Sequence, residues 1–476
     1  MIYYIYTMLK FKPINDEQLF LLPPSVQDFI PSNHLSRIIS EVVDSIDTSV
    51  IEEKYSHLGQ KSYSPKLLLK LMFYGYSIGI RSGRKIAMAC ESDTAFMFLA
   101  NMYRPDFRTI NDFRKDNIAF VQTSFVHIVR LCKELGMCKL GSLTIDGTKL
   151  KANANSDHSK TKSQYSNWLQ SIHTDIESLL KEAERIDQHE DKLYGKKRGD
   201  EIPVELANKQ KLRSKIQEAL KKFKTTNEKE RVNLNDTDAK FIKGAGRIDT
   251  NYNCQAAISE DGIIVSAYSN NNASDRTEII RVVESAEANT KENVTDILAD
   301  SGYASYDNYE YLENKGKNCF IPDQQLNTES DKEQNPYHRN HFKYVAENNQ
   351  FICPENKIVK YSHQSRQKKT KQEVSVYQCY DCPACDKQNL CTKGMYRQIN
   401  IERREHLRTK IRERLKSVEG KIKYVLRMRI ESIFGNLKHN LNYKHLYLKG
   451  IKKTTAEWQL ICIGHNLKKI HQFKMR

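Results

Sequence analysis

Apolar residues recur every three to four positions through residues 15–138, the spacing of amphipathic helices. The run "SPKLLLKLMFYGYSIGI" opens with Ser64 as an N-cap and Pro65 in the first turn, where the missing proline N–H costs nothing. "SGRKIAMACESDTAFMFLA" reads as a second such segment. "RPDFRTINDFRKDNIAFVQTSFVHIVRLCKELG" sets a Pro-Asp turn before one long helix that Gly136 ends. These segments predict a helical domain over 1–138. Its "IRSGRK" and "RPDFRT" turns place arginines beside helix starts, which suits either phosphate contacts or ordinary surface caps.

Past residue 138 the period changes. "GSLTIDGTKLKAN" (141–153), "NYNCQAAIS" (251–259), "GIIVSAYSN" (262–270) and "VTDILAD" (294–300) are short runs rich in β-branched residues and bounded by Gly, Asn and Asp, and are expected to be strands. Helices are expected over 275–290 and in "SYDNYEYLENKG", with a further strand at "NCFIPD". The order of strand, strand, strand, helix, strand, helix, strand and terminal helix predicts a mixed α/β sheet flanked by helices. Two inserts interrupt it. Residues 156–232 are highly charged with Leu and Ile at helical spacing, which predicts a helical hairpin between the first two strands. Residues 324–400 are polar and carry cysteines without a long period, and neither insert is expected to add a strand to the core. The layout is therefore 1–138, a core from 139 to 323, the Cys-bearing insert 324–400, and terminal helices over 401–476.

Charge narrows the class of partner. The chain of 476 residues carries a formal charge of +17. Residues 401–476 hold 20 Lys+Arg against 6 Asp+Glu, so the positive character is concentrated at one end. A local excess of this kind is the footprint of a polyanion partner, although a solvated basic surface has the same composition. The opening "MIYYIYTML" is too short to span a bilayer and lacks the leading basic residues of a secretory signal, and Met8 is an alternative start. A cytoplasmic protein with reduced thiols is expected, the 11 cysteines being an odd count in a lysine-rich chain.

Three acids are candidates for chemistry. Asp146 sits within the strand signal "SLTIDGTKLKA", and Asp300 closes "TDILAD" at the carboxyl end of a strand, where sheets of this kind place functional groups. Either could instead form a turn. Glu431 is the one carboxylate in the basic stretch "YVLRMRIESIFGNLKHNLNYKHLYLK". On a regular helix Tyr424, Arg427, Glu431 and Lys438 fall within an arc of roughly 60°. Beside that arc, Leu426, Ile430, Phe434, Leu437 and Leu441 form an apolar stripe suited to docking on the sheet. The plainer account of the face is an Arg427–Glu431 ion pair at i, i+4, worth about 0.3–0.5 kcal/mol when exposed.

The sequence resembles the DDE transposases of bacterial insertion sequences, whose last acid sits in a Y-x2-R-x3-E-x6-K signature matched by Tyr424, Arg427, Glu431 and Lys438. "LTIDGTKLKANAN", "DILADSGYAS" and "ICIGHNLKKI" share the likeness, and the run from "YSPKLLLKLMF" to "PDFRTINDFRK" resembles the helical N-terminal domain of the same proteins. The resemblance covers most of the chain outside the inserts. It implies a ribonuclease-H-like core in which Asp146, Asp300 and Glu431 hold two Mg²⁺ ions, or Mn²⁺, about 3.5–4 Å apart. It also implies cleavage and strand transfer on double-stranded DNA, at the element's terminal inverted repeats and at target DNA, by a homodimer or higher oligomer. Arg427 and Lys438 would grip phosphates, and Tyr424 would pack on the backbone or a displaced base. A transposase-derived DNA-binding protein and a stand-alone nuclease of the same fold are the alternatives.

Two further features stand outside that likeness. "YQCYDCPACDKQNLC" supplies Cys379, Cys382, Cys385 and Cys391, enough thiolates for a structural zinc ion, and Cys353 upstream could replace one of them. Asp236 precedes a Gly-bearing turn and reads first as a turn former, with a place near the site left open. The chain has no G-x-x-x-x-G-K phosphate loop, so ATP is not expected to drive the reaction.

Overall fold

The computed structural model describes residues 25–55, 62–194, 204–223, 228–244, 246–323, 335–366 and 373–475. The apolar opening segment and Met8 lie outside them. The contacts divide the chain into two units, Met1–Gly75 with Ile80–Phe113, and Tyr76–Gly79 with Arg114–Lys474.

The first unit is helical, as its periodicity predicts, but shorter-stepped. The segment expected to run unbroken from Ser82 is two helices, Gly83–Ser92 and Thr94–Leu99. Asp93 divides them because its carboxylate accepts from the N–H groups of Ala95 and Phe96 at 2.8 and 3.2 Å, starting a new helix on its own cap. Asp106 acts likewise at the next helix, accepting from the Arg108 N–H and the Thr109 hydroxyl, both at 2.7 Å. The Arg84 guanidinium lies 5.0 Å from the centre of the Phe107 ring. The helix start at "RPDFRT" thus already has an acid on it, which favours the ordinary-cap reading there. The long helix expected over 107–134 is also two, Phe107–Asp116 and Ile118–Glu134, parted where Asn117 leaves helical geometry at φ −112° and ψ 36°.

The second unit is built on a six-stranded sheet. In chain order its strands and those of the first insert are β1 (Ser142–Lys151), β2 (Ser159–Thr161), β3 (Arg231–Asn233), β4 (Lys240–Gly244), β5 (Arg247–Ile258), β6 (Ile264–Asn270), β7 (Asp296–Leu298) and β8 (Asn318–Phe320). Across the sheet the order is β4, β5, β1, β7, β8, with β6 also paired to β5. β1, β5 and β6 are antiparallel neighbours, whereas β1, β7 and β8 run parallel. The five strands expected from sequence are all present, and β4, which leads into the Gly-bearing turn after Asp236, is an addition. Helix Ile279–Thr290 begins four residues later than expected, because Asp275 and Glu278 are engaged by side chains across the fold.

The closing helix Ile451–Lys474 packs on β6 and on helix Ile118–Glu134, and it is buried on nearly every side. Its polar residues are spent on the sheet. The Trp458 indole N–H donates to the Gln255 carbonyl at 2.9 Å, and the Asn466 amide bonds both the N–H and the C=O of Ile264, each at 2.9 Å. Burial of such groups is tolerable only because each finds a partner.

The first insert is the expected hairpin, helices Lys162–Tyr194 and Val204–Lys221 packed through Tyr165, Ile172, Ile176, Leu206 and Ile216. The second adds no strand to the core sheet. It forms a separate antiparallel sheet of β9 (Lys343–Val345), β10 (Gln350–Ile352), β11 (Ile358–Arg366), β12 (Glu373–Cys379) and β13 (Arg397–Glu402), in the order β13, β12, β11, β10, β9. Both faces of β11 are largely exposed, so the chain there lacks the apolar alternation that marks a half-buried strand.

Two helices lead from this insert towards the acids, Glu405–Lys416 and Val418–Val425. They meet at an elbow where Gly420 is obligatory, since a Cβ there would fall 1.8 Å from the Arg414 carbonyl oxygen. Gly420→Ala is expected to destabilise the protein by about 3 kcal/mol, because backbone rather than a side-chain tip must yield. Thermal unfolding of the variant checks this, and an unchanged midpoint would show that the elbow is loose.

Candidate active site

The register of the sheet brings two of the acids together. On the parallel pair Thr144 stands opposite Leu298; Asp146 and Asp300 each follow two residues on, Asp300 just past the end of β7, and the charge of Asp300 reaches Asp146. Both carboxylates are held by local N–H groups. Asp146 accepts from Gly147 at 2.8 Å, and Asp300 accepts from Gly302 at 2.8 Å while capping the turn Ser301–Tyr303. The turn-forming reading of Asp300 is therefore correct and does not compete with a functional one. Burial raises the Asp146 pKa to about 7; the Gly147 N–H and Arg427 act against that rise, while Asp300 and Asp275 add to it.

The helical segment approaches these acids along the parallel strands. Lys423 donates to Asp296, at the start of β7, at 2.6 Å. One turn further on, Arg427 lies within the fields of both Asp146 and Asp300. Burial alone would lower its pKa, but the charges of Tyr424, Glu431, Asp146 and Asp300 outweigh that and raise it. Ile430, Phe434 and Leu437 are buried, as the apolar stripe requires. Burial lowers the Lys438 pKa, with Cys254 and Asp146 opposing the change and Lys149 adding to it. Arg427 thus feels both strand acids, Lys438 feels Asp146 and Tyr424 feels Asp300, while Glu431 meets this group through its Arg427 pair.

The single regular helix expected from Tyr424 to Lys438 is not what holds them. The chain forms Val418–Val425 and Met428–Gly435, joined by tight bonds such as Arg427 N–H to Tyr424 C=O and Ile430 N–H to Arg427 C=O, then a π turn Asn436–Asn440 containing Lys438. After the turn, Lys444 and Leu446 pair with Lys151 at the end of β1, which ties the segment to the strand carrying Asp146. Glu431 is the most open of the three acids. Its carboxylate meets Arg427 at 2.7 Å, the i, i+4 pair of the plainer account, and its side chain is 48% exposed. Among the described residues, no group of three or more His, Cys, Asp or Glu stands ready to hold a metal ion.

A network absent from the sequence reading backs this site. Alternation puts Gly147 and Lys149 on the face of β1 opposite Asp146. There Lys149 bonds both oxygens of Asp275 at 3.0 and 2.9 Å, and Asn253 and Gln255 donate to the same carboxylate at 2.6 and 2.7 Å. The Tyr303 hydroxyl donates to Gln255 at 2.5 Å. A Cβ on residue 147 would lie 2.5 Å from the Gln255 amide, so glycine there lets the network close against the strand. Burial raises the Tyr303 pKa far above its usual value, and the charges of Asp275, Asp146 and Asp300 push it in the same direction. The available signal was polar: Asn253 and Gln255 alternate through a strand whose neighbours are apolar. Asp236 has a different use, accepting from the Tyr252 hydroxyl at 2.7 Å and from the Gly450 N–H at 3.2 Å.

Two segments of the chain match models of known protein families. Residues 352–471 match a transposase DDE domain, and residues 24–116 match a transposase domain, DUF772. Both matches are to transposase domains. The chain is thus similar, over two separate stretches, to proteins of mobile elements that act on DNA. The DDE-domain match takes in Tyr424, Arg427, Glu431 and Lys438 together with the cysteines of the second insert, and leaves Asp146 and Asp300 outside it. No curated protein matches the chain significantly. Among the described residues no helix is long and apolar enough to cross a membrane.

Proposed function

We propose that the protein is an insertion-sequence transposase that cuts DNA at the ends of its element and joins the 3′ ends to a target. The observation that carries the reading is the parallel pairing of β1 with β7, the strands that carry Asp146 and lead into Asp300, with Arg427 answering to the charge of both acids and Lys438 to that of Asp146. The strand order, three antiparallel strands continued by two parallel ones, supports a ribonuclease-H-like core.

The donor chemistry fits Mg²⁺ or Mn²⁺, since Asp146, Asp300 and Glu431 offer only hard carboxylate oxygens. Bound there, a pair of such ions supplies Lewis acidity on both sides of an in-line displacement at phosphorus. The chain's own residues do the rest. Asp146 and Asp300 form a fixed edge, because each is tied to its own strand end by an N–H bond. Glu431 is the adjustable member, free to exchange its Arg427 pairing for the site. Arg427 and Lys438 offset the acids' charge and present donors to backbone phosphates, and Tyr424 offers a half-buried ring beside them. Double-stranded DNA is the partner, bound by at least a dimer so that two ends are handled together.

The test is strand cleavage by the purified chain, with Mg²⁺ or Mn²⁺, on DNA spanning both borders of its gene. Nicks at the borders and joined products are expected. Binding without nicks would identify a transposase-derived DNA-binding protein, and nicks without joining a nuclease. Lys438→Ala is expected to weaken binding and to lower the slope of log K against log salt by about one phosphate contact, roughly 0.9. An unchanged slope removes Lys438 from the DNA interface.

A further inference from the structure

The second insert has little to hold it together. Its sheet is small, and its buried cluster consists of Phe342, Val359, Tyr377 and Ile399 with Cys379 and Cys382. Domains this thin in apolar contact generally carry a covalent or metal staple. Sulfur is what the fold collects here. Cys379, Cys382, Cys385 and Cys391, together with Cys353 from a separate strand end, all line one cavity of about 20 Å³, room for a single ion or water.

The surrounding bonds are those of a thiolate site. The Lys357 N–H donates to the Cys353 sulfur at 3.2 Å and the Arg397 N–H to the Cys382 sulfur at 3.3 Å, an outer shell that stabilises negative sulfur. The Lys357 ammonium bonds the carbonyls of Asp381 and Ala384 at 3.0 and 3.3 Å, which pins the Cys353 turn to the Cys382 turn. The Arg397 guanidinium bonds the Cys391 carbonyl at 3.1 Å. Lys357, Lys387 and Arg397 all line the cavity, placing cations around a group expected to be anionic. Cys353, Cys385 and Cys391 are half-buried at the cavity, whereas Cys379 is buried and ends the core strand β12.

We infer that Cys353, Cys382, Cys385 and Cys391, which line this cavity without yet standing in metal-holding geometry, close on one structural zinc ion that staples the insert, and that Cys379, buried at the end of β12, is packing rather than a ligand. Tetrahedral thiolate coordination suits Zn²⁺ and leaves no open position for catalysis. Each sulfur gives up its proton on binding, and four thiolates on Zn²⁺ make a dianionic group that the three cations offset. Because five cysteines gather around one cavity that holds none of the three acids, the inference stands apart from the proposed reaction.

The test uses the full chain, purified without chelator. About one zinc per chain is expected in the parent and in Cys379→Ser, and near none in Cys382→Ser or Cys391→Ser. Cobalt substituted into the parent should show intense thiolate-to-cobalt absorption, which keeps the test valid if a variant fails to fold. No zinc and no cobalt band in the parent would overturn the site. Zinc retained by Cys382→Ser would overturn the ligand set, as would zinc lost from Cys379→Ser.

Discussion

Replacing Glu431 by Gln is expected to lower strand cleavage by about 10³-fold or more while leaving DNA binding within about twofold. Gln keeps the size and one acceptor but loses the charge that an all-carboxylate site needs. The Arg427 pair it breaks is half-exposed, so the stability loss should be no more than about 0.5 kcal/mol. Cleavage and binding measured on the same DNA separate the possible outcomes. Equal loss of both would make Glu431 a support for the helical segment, through its Arg427 pair. Retained cleavage would remove it from the chemistry and leave Asp146 and Asp300 without a third acid.

How much of this was readable in the chain differs from place to place, for physical reasons. β1, β5 and β6 announce themselves because they are buried on both faces and rich in β-branched residues. Asp146 and Asp300 stand out against such runs, and the parallel direction of β7 beside β1 is favoured by the helix between β6 and β7. The face carrying Tyr424, Arg427, Glu431 and Lys438 was identified with the wrong geometry. A uniform turn of 100° cannot anticipate the tight joint at Leu426–Ile430 or the π turn at Asn436–Asn440. Those irregularities arise where the segment must rest on the sheet and then pair with Lys151, which is tertiary information. Asp275 was illegible for a similar reason. It looks like a helix-start acid until Lys149, Asn253 and Gln255 are known to share its side of the sheet. In the second insert β11 faces water on both sides and shows no alternation, whereas β12 buries Val374, Val376, Tyr377 and Cys379, a signal too short to stand out from its polar surroundings.

Asp146→Asn is expected to abolish cleavage and, at neutral pH and above, to make the metal-free protein more stable. The sign follows from the carboxyl's position. Burial raises its folded pKa to about 7, against about 3.9 in the unfolded chain. Between those values the folded protein keeps a proton that the unfolded chain has released. Its contribution to stability is therefore complete below about pH 4 and is lost as pH rises through 7. Asn cannot ionise, keeps an oxygen for the Gly147 N–H, and removes that loss. After discounting for the partial opening of the site, the variant should gain about 2 kcal/mol over the parent at pH 8 and nothing near pH 4. Thermal unfolding across that range reads the difference directly. Added Mg²⁺ should stabilise the parent at pH 8 and leave the variant unmoved, because only the parent has the carboxylate to bind it. Parallel pH curves for the two proteins would mean that Asp146 is already ionised in the fold, and that Arg427 rather than burial governs its charge.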